Sequence, residues 1–372
     1  MLSLRAMKTF IYILFAMAAA SFFCDSSNAR EKIGSQLEVD KTVHNFGDII
    51  HKSGPVSCSF TVTNTGTEPA VIYNVVSSCG CTDVEWTREP IRPGMSGKIS
   101  VTYSNDEGAY PFDKTLTTYT SDSHKPVLLK IRGISLEKSR PLSELYPVHY
   151  GPLAMRESDN KCGNIEQGGQ KSEAVIVANL SSKPIKVSFV NTDRNLKVSL
   201  SPNPIPAGGT SEMSFTITAD REFWGKNTYY TEPLVDGKPV KNNNGSNRIG
   251  FWAFTKENFS DMSQEEKAKG PRPVFKESTF SFGKIKKGTP VTATYSFTNA
   301  GKDPFCIYRV NSDARCWSHS DIPVAAPGED VSFRVHLDTS TLDKGEHLTI
   351  VTLTTNSPLR PIVNLFIAGY IE

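Results

Sequence analysis

Two closely spaced cysteines are the sharpest chemical feature of this 372-residue sequence. Cys79-Gly80-Cys81 could act as a redox pair or supply half of a metal site. A zinc site needs three or four ligands, and neither a second Cys-x-Cys nor a nearby cysteine–histidine cluster completes the set. Redox motifs are more often Cys-x-x-Cys at a helix N-terminus, whereas this motif follows a predicted strand. The sequence therefore favours a structural disulfide or a tight turn packed against a core.

Cys58 is the expected partner of this motif. It alternates with polar residues and shares the apolar face of one predicted strand with Phe60 and Val62. An inward strand and the end of a following strand can meet inside a core. We therefore predict a disulfide between Cys58 and either Cys79 or Cys81.

Groups suited to turnover chemistry are scattered along the chain. The seven histidines include no pair at i, i+4, and the acidic residues show no spacing that forces two carboxylates together. His-Glu-x-x-His, Gly-x-Ser-x-Gly, Gly-x-Gly-x-x-Gly, Walker and calcium-loop patterns are absent from the sequence. We therefore predict that the protein is not an enzyme and has no catalytic residue, cofactor or metal site.

Aromatic residues between positions 223 and 254 are the second candidate for binding chemistry. On an exposed strand face such side chains can stack on sugar rings, but large residues of late strands usually alternate into a core. The candidate binding surface consists of Trp224, Tyr229, Tyr230 and Trp252. Exposed, coplanar tryptophans would favour a glycan ligand, and buried ones a protein partner.

The charge balance excludes some partners. The chain carries 41 Lys+Arg and 39 Asp+Glu, a net charge of +2, so no long-range field attracts nucleic acid or an acidic membrane surface. With 38% hydrophobic and 22% charged residues, the composition is that of an ordinary globular protein. No nucleic-acid partner is expected.

The N-terminus is typical of an export signal. Arg5 and Lys8 precede the apolar run 10–23, and Ser27 and Ala29 supply small side chains at positions −3 and −1 of a signal peptidase site. Residues 1–29 are therefore predicted to be a signal peptide, cleaved after Ala29. An exported chain enters an oxidising compartment, where its remaining cysteines can pair.

Cys24 offers an alternative fate for this end of the chain. It stands at the end of the apolar run, where a lipidated cysteine would anchor the protein to a membrane. However, Phe23 precedes it, where lipoprotein signals normally carry a small residue. A membrane partner is expected only if Cys24 is lipidated.

One sequence pattern occurs near both ends of the chain. The segment 58–66, Cys-Ser-Phe-Thr-Val-Thr-Asn-Thr-Gly, recurs at 293–301 as Ala-Thr-Tyr-Ser-Phe-Thr-Asn-Ala-Gly. Downstream, Ile72-Tyr73 matches Ile307-Tyr308 at the same offset of 235 residues, as does Cys81 with Cys316. Two related domains are therefore predicted.

A weaker copy of the pattern lies between these two. Asn179 and Pro184 keep the separation of Asn64 and Pro69 at an offset of 115 residues. Tyr150-Gly151 stands in for the Phe-Gly that precedes the other copies. Three units of similar length follow, each long enough to close a sandwich core.

Apolar and hydroxyl side chains alternate with period two in these segments, as in half-buried antiparallel strands, and turn residues separate them. The predicted fold is all-β, with three tandem immunoglobulin-like sandwiches after a signal peptide. The predicted domains are 30–137, 138–272 (divergent) and 273–372. A short linker helix is predicted at 263–270, with Ser263 and Glu266 forming a capping box and Gly270 ending it.

The motifs together resemble a known family. Phe46-Gly47, the Thr-Asn-x-Gly segment, Cys79-Gly80-Cys81 and Pro93-Gly94 in series resemble a family of secreted Bacteroidota domains of unknown function. That family is similar in fold to PapD-like, major-sperm-protein-like (MSP-like) and Hydin-like immunoglobulin-type domains, so the resemblance implies sandwiches of the PapD/MSP-like type. The resemblance implies a location in the periplasm or cell envelope of a Gram-negative bacterium and brings no catalytic residues.

The leading functional hypothesis is an exported, non-catalytic protein that binds or positions an envelope or cell-surface protein. Sandwich edges offer unpaired backbone groups for strand addition, the physical basis of PapD-like binding. The alternative is a glycan-binding module that uses the aromatic residues of the middle domain. A third, a hydrolase or redox enzyme, depends on Cys79 and Cys81 alone.

Overall fold

The computed structural model describes the backbone of residues 31–32 and the whole of 36–123, 125–220 and 222–372. The predicted signal peptide, its cleavage site after Ala29 and Cys24 lie outside the described residues. The described part contains 27 strands, two short α-helices and one 3-10 helix. None of these helices is long and apolar enough to cross a membrane.

The chain divides into two compact units, Met1–Glu137 and Lys138–Glu372. The first contains one pair of β-sheets and the second contains two pairs. We call these pairs the first, second and third sandwich in chain order. The division into three domains at 137 and 272 remains a prediction.

The first sandwich contains nine strands. Their bounds are β1 Glu31–Lys32, β2 Leu37–Val39, β3 Val43–Ile50, β4 Val56–Asn64, β5 Ile72–Ser77, β6 Thr82–Trp86, β7 Ser96–Tyr103, β8 Pro111–Thr120 and β9 Val127–Leu136. One sheet has the order β1-β2-β4-β7-β6 and the other β3-β9-β8-β5. The strand β5 thus ends its sheet.

The second sandwich begins after helix α1, Leu142–Leu145. Its strands are β10 Val148–Tyr150, β11 Leu153–Met155, β12 Asp159–Glu166, β13 Gln170–Asn179, β14 Val187–Val190, β15 Leu196–Ser201, β16 Thr210–Thr218, β17 Gly225–Val235, β18 Lys238–Pro239 and β19 Ile249–Lys256. The sheet orders are β10-β11-β13-β16-β15 and β12-β19-β17-β14, with β18 also paired to β17.

The third sandwich follows helix α2, Gln264–Lys269. Its strands are β20 Pro273–Phe275, β21 Thr279–Ile285, β22 Val291–Asn299, β23 Ile307–Ser312, β24 Trp317–His319, β25 Asp330–Leu337, β26 Gly345–Thr355 and β27 Ile362–Ile371, with a 3-10 helix at Thr339–Thr341. The sheet orders are β20-β22-β25-β24 and β21-β27-β26-β23.

The all-β, immunoglobulin-like fold is confirmed, and the period-two pattern explains it. In β4, Phe60 and Val62 are fully buried while Thr61 between them is exposed. Each sandwich has its own buried cluster with residues from both of its sheets, such as Phe60 of one sheet and Leu129 of the other. The apolar face of each sheet is therefore covered by its partner sheet.

Three buried asparagines form the same latch in the three sandwiches. Asn64, Asn179 and Asn299 are fully buried at the ends of β4, β13 and β22. Their Nδ2 atoms donate to backbone carbonyls at 2.7–3.2 Å, those of Glu68 and Ile91, of Lys183, Ile205 and Pro206, and of Asp303 and Ala325. Their Oδ1 atoms accept from the backbone N–H two residues later, in Gly66, Ser181 and Gly301. The repeated asparagine thus joins two turns by satisfying buried backbone groups.

A glycine bulge also recurs, and it corrects one sequence match. The strands β3, β12 and β21 run parallel to β9, β19 and β27, and the register of each pair shifts at a bulge. Gly47, Gly163 and Gly283 stand there with φ of 69°, 92° and 67°. Gly163 therefore takes the place assigned to Gly151, which lies between β10 and β11. Cys162 replaces the phenylalanine that marks the other two copies, so the sequence pattern was hidden.

A helix, α2, forms within the segment 263–270 that the sequence predicted to be helical. The hydroxyl of Ser263 accepts from the Glu266 backbone N–H, and the Glu266 carboxylate accepts from the Ser263 backbone N–H. Gly270 follows its last residue. This reciprocal capping stabilises a helix that buries none of its side chains.

Candidate binding surfaces

Cys79 and Cys81 are bonded to each other. Their Cα atoms lie 5.3 Å apart, within the ordinary range for a disulfide. Both residues are half-buried in the turn from β5 to β6, and the Cys81 carbonyl accepts from the Ser104 backbone N–H at 3.0 Å. The bridge closes a tight turn at the end of the edge strand β5.

The predicted bond from Cys58 to this motif is therefore wrong. Cys58 lies opposite Val101 of β7, which in turn lies opposite Val84 of β6. Cys58 is thus separated from Val84 of β6 by two strand spacings, about 10 Å. Cys81 lies three residues before Val84, which adds to this distance. A disulfide spans at most about 7 Å between Cα atoms, so Cys58 lies outside the bridge.

Glu107 approaches the two sulfurs, and potential ligand atoms of the three residues lie within 4.8 Å of one another. However, sulfurs bonded to each other are not thiolate ligands. The Glu107 carboxylate also accepts from the Lys114 ammonium at 2.6 Å. With the bridge closed, the group does not fit a metal ion.

The four aromatic candidates of the second sandwich do not form one surface. Tyr229 points into the core, where it is 8% exposed. Tyr230 and Trp252 lie on the outer face of the sheet, with the Lys226 ammonium 4.7 Å from the Trp252 ring centre. Trp224 precedes β17 and contacts the third sandwich. The two tryptophans are therefore not a coplanar platform, and the predicted four-residue surface is divided among three places.

Trp224 belongs to a junction within the second compact unit. Its ring stacks on that of Tyr308 in β23, with centres 4.4 Å apart and planes 11° from parallel. The Tyr308 hydroxyl donates to the Glu257 carboxylate at 2.7 Å. Burial of the ring is the main cause that raises the pKa of Tyr308, and the contact with Glu257 is the second cause. Asn311 accepts from the Lys226 backbone N–H at 3.0 Å. The edge strand β23 is thus docked against the second sandwich.

Close backbone approach at this junction requires a glycine. Gly225 has φ of 73°, and a Cβ added there would lie 2.4 Å from the Asn311 Oδ1 atom and 2.9 Å from the Arg309 side chain. A larger residue would strain the backbone at this positive φ and would have to displace the Asn311 and Arg309 side chains of β23. Trp224 therefore supplies a ring that stacks on Tyr308, and Gly225 leaves space for the side chains of the neighbouring strand β23.

The first sandwich presents the equivalent strand without such a cover. Tyr73 lies at the bulge of β5 as Tyr308 lies at the bulge of β23, 235 residues later. Tyr73 is 64% exposed. Beside it, Val76, Tyr119 and Leu128 are also exposed, and Val76 and Leu128 flank Thr117 in one row across the sheet. We call these four residues the β5 face.

The strands β5 and β23 belong to segments that match one family model, "Protein of unknown function (DUF1573)", at residues 37–135 and 273–371. The two matches cover more than half of the chain and coincide with the first and third sandwiches. The chain belongs to the DUF1573 family. The match accounts for the constant spacing between the two copies and leaves the second sandwich outside it.

Solved structures similar to this DUF1573 chain share little sequence with it. A protein of unknown function from Porphyromonas gingivalis W83 is 14% identical with a TM-score of 0.49, covering 59% of this chain and 100% of its own. A PapD-like domain of human CEP192 is 11% identical with a TM-score of 0.25, covering 29% and 91%. The endo-fucoidan hydrolase MfFcnA4 is 10% identical with a TM-score of 0.21, covering 87% and 43%, so the chain spans less than half of that enzyme. No curated protein matches the sequence.

A cavity of about 450 Å³ opens at one end of the second sandwich. It lies between the segment after β14 and the connection from β16 to β17. Its lining residues are Asp193, Arg194, Asn195, Asp220, Phe223, Asn227, Thr228 and Tyr229. Acceptors, donors and aromatic rings are thus combined in one concave surface.

Sequence reasoning missed both Tyr73 and this cavity. The matched Ile-Tyr pairs marked Tyr73 and Tyr308 as equivalent, but nothing in the sequence indicated that only the second tyrosine has a cover. Asp193, Asp220 and Tyr229 come from three separate segments, so no local spacing connects them. Of the aromatic candidates, Tyr229 alone lines the cavity.

Proposed function

We propose that this protein is an exported, non-catalytic binding module of the bacterial envelope that docks a protein partner on the β5 face. One observation carries the proposal. The equivalent residue Tyr308 is stacked on Trp224 of a neighbouring sandwich, whereas Tyr73 is exposed. The same structural position therefore serves as a contact between sandwiches in one copy and is open in the other.

The chemistry of the β5 face supports a protein partner. Exposed large apolar residues gathered on one sheet face are typical of interaction sites, and tyrosine is enriched among residues that dominate binding energy. The terminal strand β5 also has an outer edge where a partner strand can add. The disulfide between Cys79 and Cys81 constrains the turn directly after this strand.

The partner surface expected from the junction is a sandwich or strand that presents an aromatic ring beside a small residue. Trp224 and Gly225 meet Tyr308 and Asn311 in this way. Val76 takes the place of Asn311 in the first sandwich, so the matching position in the partner should be apolar. This difference would keep the two docking surfaces from exchanging partners.

Site-specific photocrosslinking in whole cells tests the proposal. A photoreactive phenylalanine analogue at position 73 should crosslink one envelope protein that the same group at exposed position 348 of the third sandwich does not. With that partner purified, Tyr73→Ala should weaken binding by about 2 kcal/mol, roughly 30-fold in Kd, as for interface hot spots. Leu348→Ala is the matched control and should bind normally. Equal crosslinking at both positions, or an unchanged Kd for Tyr73→Ala, would contradict the proposal.

Export is the second part of the proposal. Ser27 and Ala29 fit a signal peptidase site, so the mature chain should begin at Arg30. Intact-mass measurement on protein from the cell envelope checks this. A mature chain that begins at an acylated Cys24 would contradict this prediction and would mean that the protein is anchored to a membrane.

A further inference from the structure

We propose that the cavity lined by Asp193, Asp220, Phe223 and Tyr229 binds a neutral saccharide. This site differs from the β5 face, from the tryptophan junction and from the outer sheet face that holds Trp252. It lies wholly in the second sandwich, outside the segments that match the family model.

Tyr229 supplies a hydroxyl group to the lining of the cavity. Tyr229 is 8% exposed because its ring packs in the core of the second sandwich, yet the residue lines the cavity. Its hydroxyl forms no hydrogen bond with any other residue of the described chain. The hydroxyl is not sealed from water, so a ligand atom in the cavity can replace a water molecule as its partner. The pKa of Tyr229 is raised, mainly by burial and also by the nearby carboxylate of Asp220. The hydroxyl therefore remains a neutral donor.

The carboxylates of the cavity are held in place by the backbone. One oxygen of Asp193 accepts from the Tyr230 N–H at 2.8 Å. Asp220 accepts from the Glu222 N–H at 3.0 Å and from the Arg194 guanidinium at 2.9 Å, and these bonds lower its pKa. Both acceptors therefore have fixed positions before a ligand arrives, which reduces the entropy cost of binding.

The mixture of groups selects the ligand class. Carboxylates accept hydrogen bonds, the Arg194 guanidinium donates them, and a side-chain amide such as that of Asn195 does both. Vicinal hydroxyls of a sugar also donate and accept, so each finds a match. Among the described lining residues, an anionic ligand would meet two carboxylates against one guanidinium, and a cationic ligand would meet that guanidinium. A neutral polyhydroxylated ligand fits best.

Phe223 supplies the apolar surface that a sugar ring requires. It is 51% exposed, which is unusual for a phenylalanine, and it lies at the cavity wall. The C–H face of a pyranose can pack on such a ring. Its backbone is fixed because the Asn227 amide donates to the Phe223 carbonyl at 3.2 Å and the next residue, Trp224, is stacked on Tyr308.

A glycan array probed with the full mature chain tests this inference, followed by titration calorimetry with the best neutral oligosaccharide found. Phe223→Ala should weaken binding about tenfold through loss of the stacking contact. Tyr229→Phe, which removes one hydroxyl and preserves the core, should weaken it about fivefold. Trp252→Ala and Tyr370→Ala are controls on other faces and should bind as the natural chain does. Unchanged thermal midpoints would separate lost contacts from lost folding.

Several outcomes would overturn the inference. They are no binding to any neutral saccharide on the array, binding that survives both cavity variants, or binding that Trp252→Ala abolishes while Phe223→Ala does not. The last result would place the sugar on the outer sheet face instead. The saccharide site and the β5 face share no residue. We therefore expect that Phe223→Ala leaves the protein partner bound and that Tyr73→Ala leaves the saccharide bound.

Discussion

Tyr73 and Tyr308 occupy the same bulge in equivalent edge strands, yet Tyr308 lies against Trp224 and Tyr73 is 64% exposed. A repeated sandwich has thus kept one strand geometry and used it in two ways. In the third sandwich it fixes the position of a neighbour within the chain. In the first sandwich the tyrosine at the same position is exposed.

Breaking the stack should loosen the second compact unit. Trp224→Ala removes the ring that packs on Tyr308, and we expect a loss of about 2 kcal/mol, less than for a fully buried tryptophan. Limited proteolysis should then cut faster within 263–273, beside helix α2. Trp252→Ala, which removes a ring from the outer sheet face, is the control. Equal cleavage rates in the two variants would show that the stack does not hold the sandwiches together.

Removing a latch asparagine should destabilise one sandwich at a time. Asn64→Ala leaves two buried carbonyls and one N–H without their partner, so we expect a loss of about 2–3 kcal/mol. Hydrogen exchange read by peptide should show faster exchange in the first sandwich only. Asn299→Ala should do the same in the third sandwich, and Asn74→Ala on an exposed strand should do neither. Uniform exchange changes across the chain would contradict a local latch.

The disulfide should contribute modestly to stability. A bridge between Cys79 and Cys81 closes a three-residue loop, for which the chain-entropy relation gives about 1.6 kcal/mol. The variant with both cysteines changed to serine should therefore fold, melt slightly lower and still bind the partner. Peptide mapping of exported protein should find one bridge that joins these two residues. A bridge that includes Cys58 would show that the turn adopts another arrangement.

The first sandwich should lose stability in mild acid. The pKa of His44 is lowered to about 4, mainly because the side chain is buried and also because the Lys41 ammonium lies 3.0 Å away. The unfolded chain takes up this proton near pH 6.5, whereas the folded chain does so only near pH 4, so stability falls as the pH drops between these values. Partial exposure limits the effect to about 1–2 kcal/mol.

Denaturant unfolding of the full chain at pH 7 and pH 4.5, with peptide-level hydrogen exchange, measures this effect. His44→Gln should reduce the difference between the two pH values in the first sandwich. His336→Gln, at an exposed position of β25 in the third sandwich, should not. An equal acid response in His44→Gln and the natural chain would assign the response to other groups.

The sequence predicted the sheets well because their signals are local. Alternation in β4, the capping box of α2 and the matched asparagines each involve residues within a few positions of one another. The disulfide partner was mistaken because it depended on strand order, which placed β7 between β4 and β6. The division of Trp224, Tyr229 and Trp252 among three places likewise depends on which sheet face and which neighbour each meets. Such relations arise only when distant segments pack together.

The parallel pairing beside Gly47, Gly163 and Gly283 has a mechanical consequence. In each sandwich a strand near its start lies parallel to its last strand, as β3 does to β9. A force that pulls the two ends of such a sandwich apart acts along these strands. Their hydrogen bonds are then loaded together in shear and do not open one after another. Each of the three parallel pairs would therefore resist a pulling force by shear.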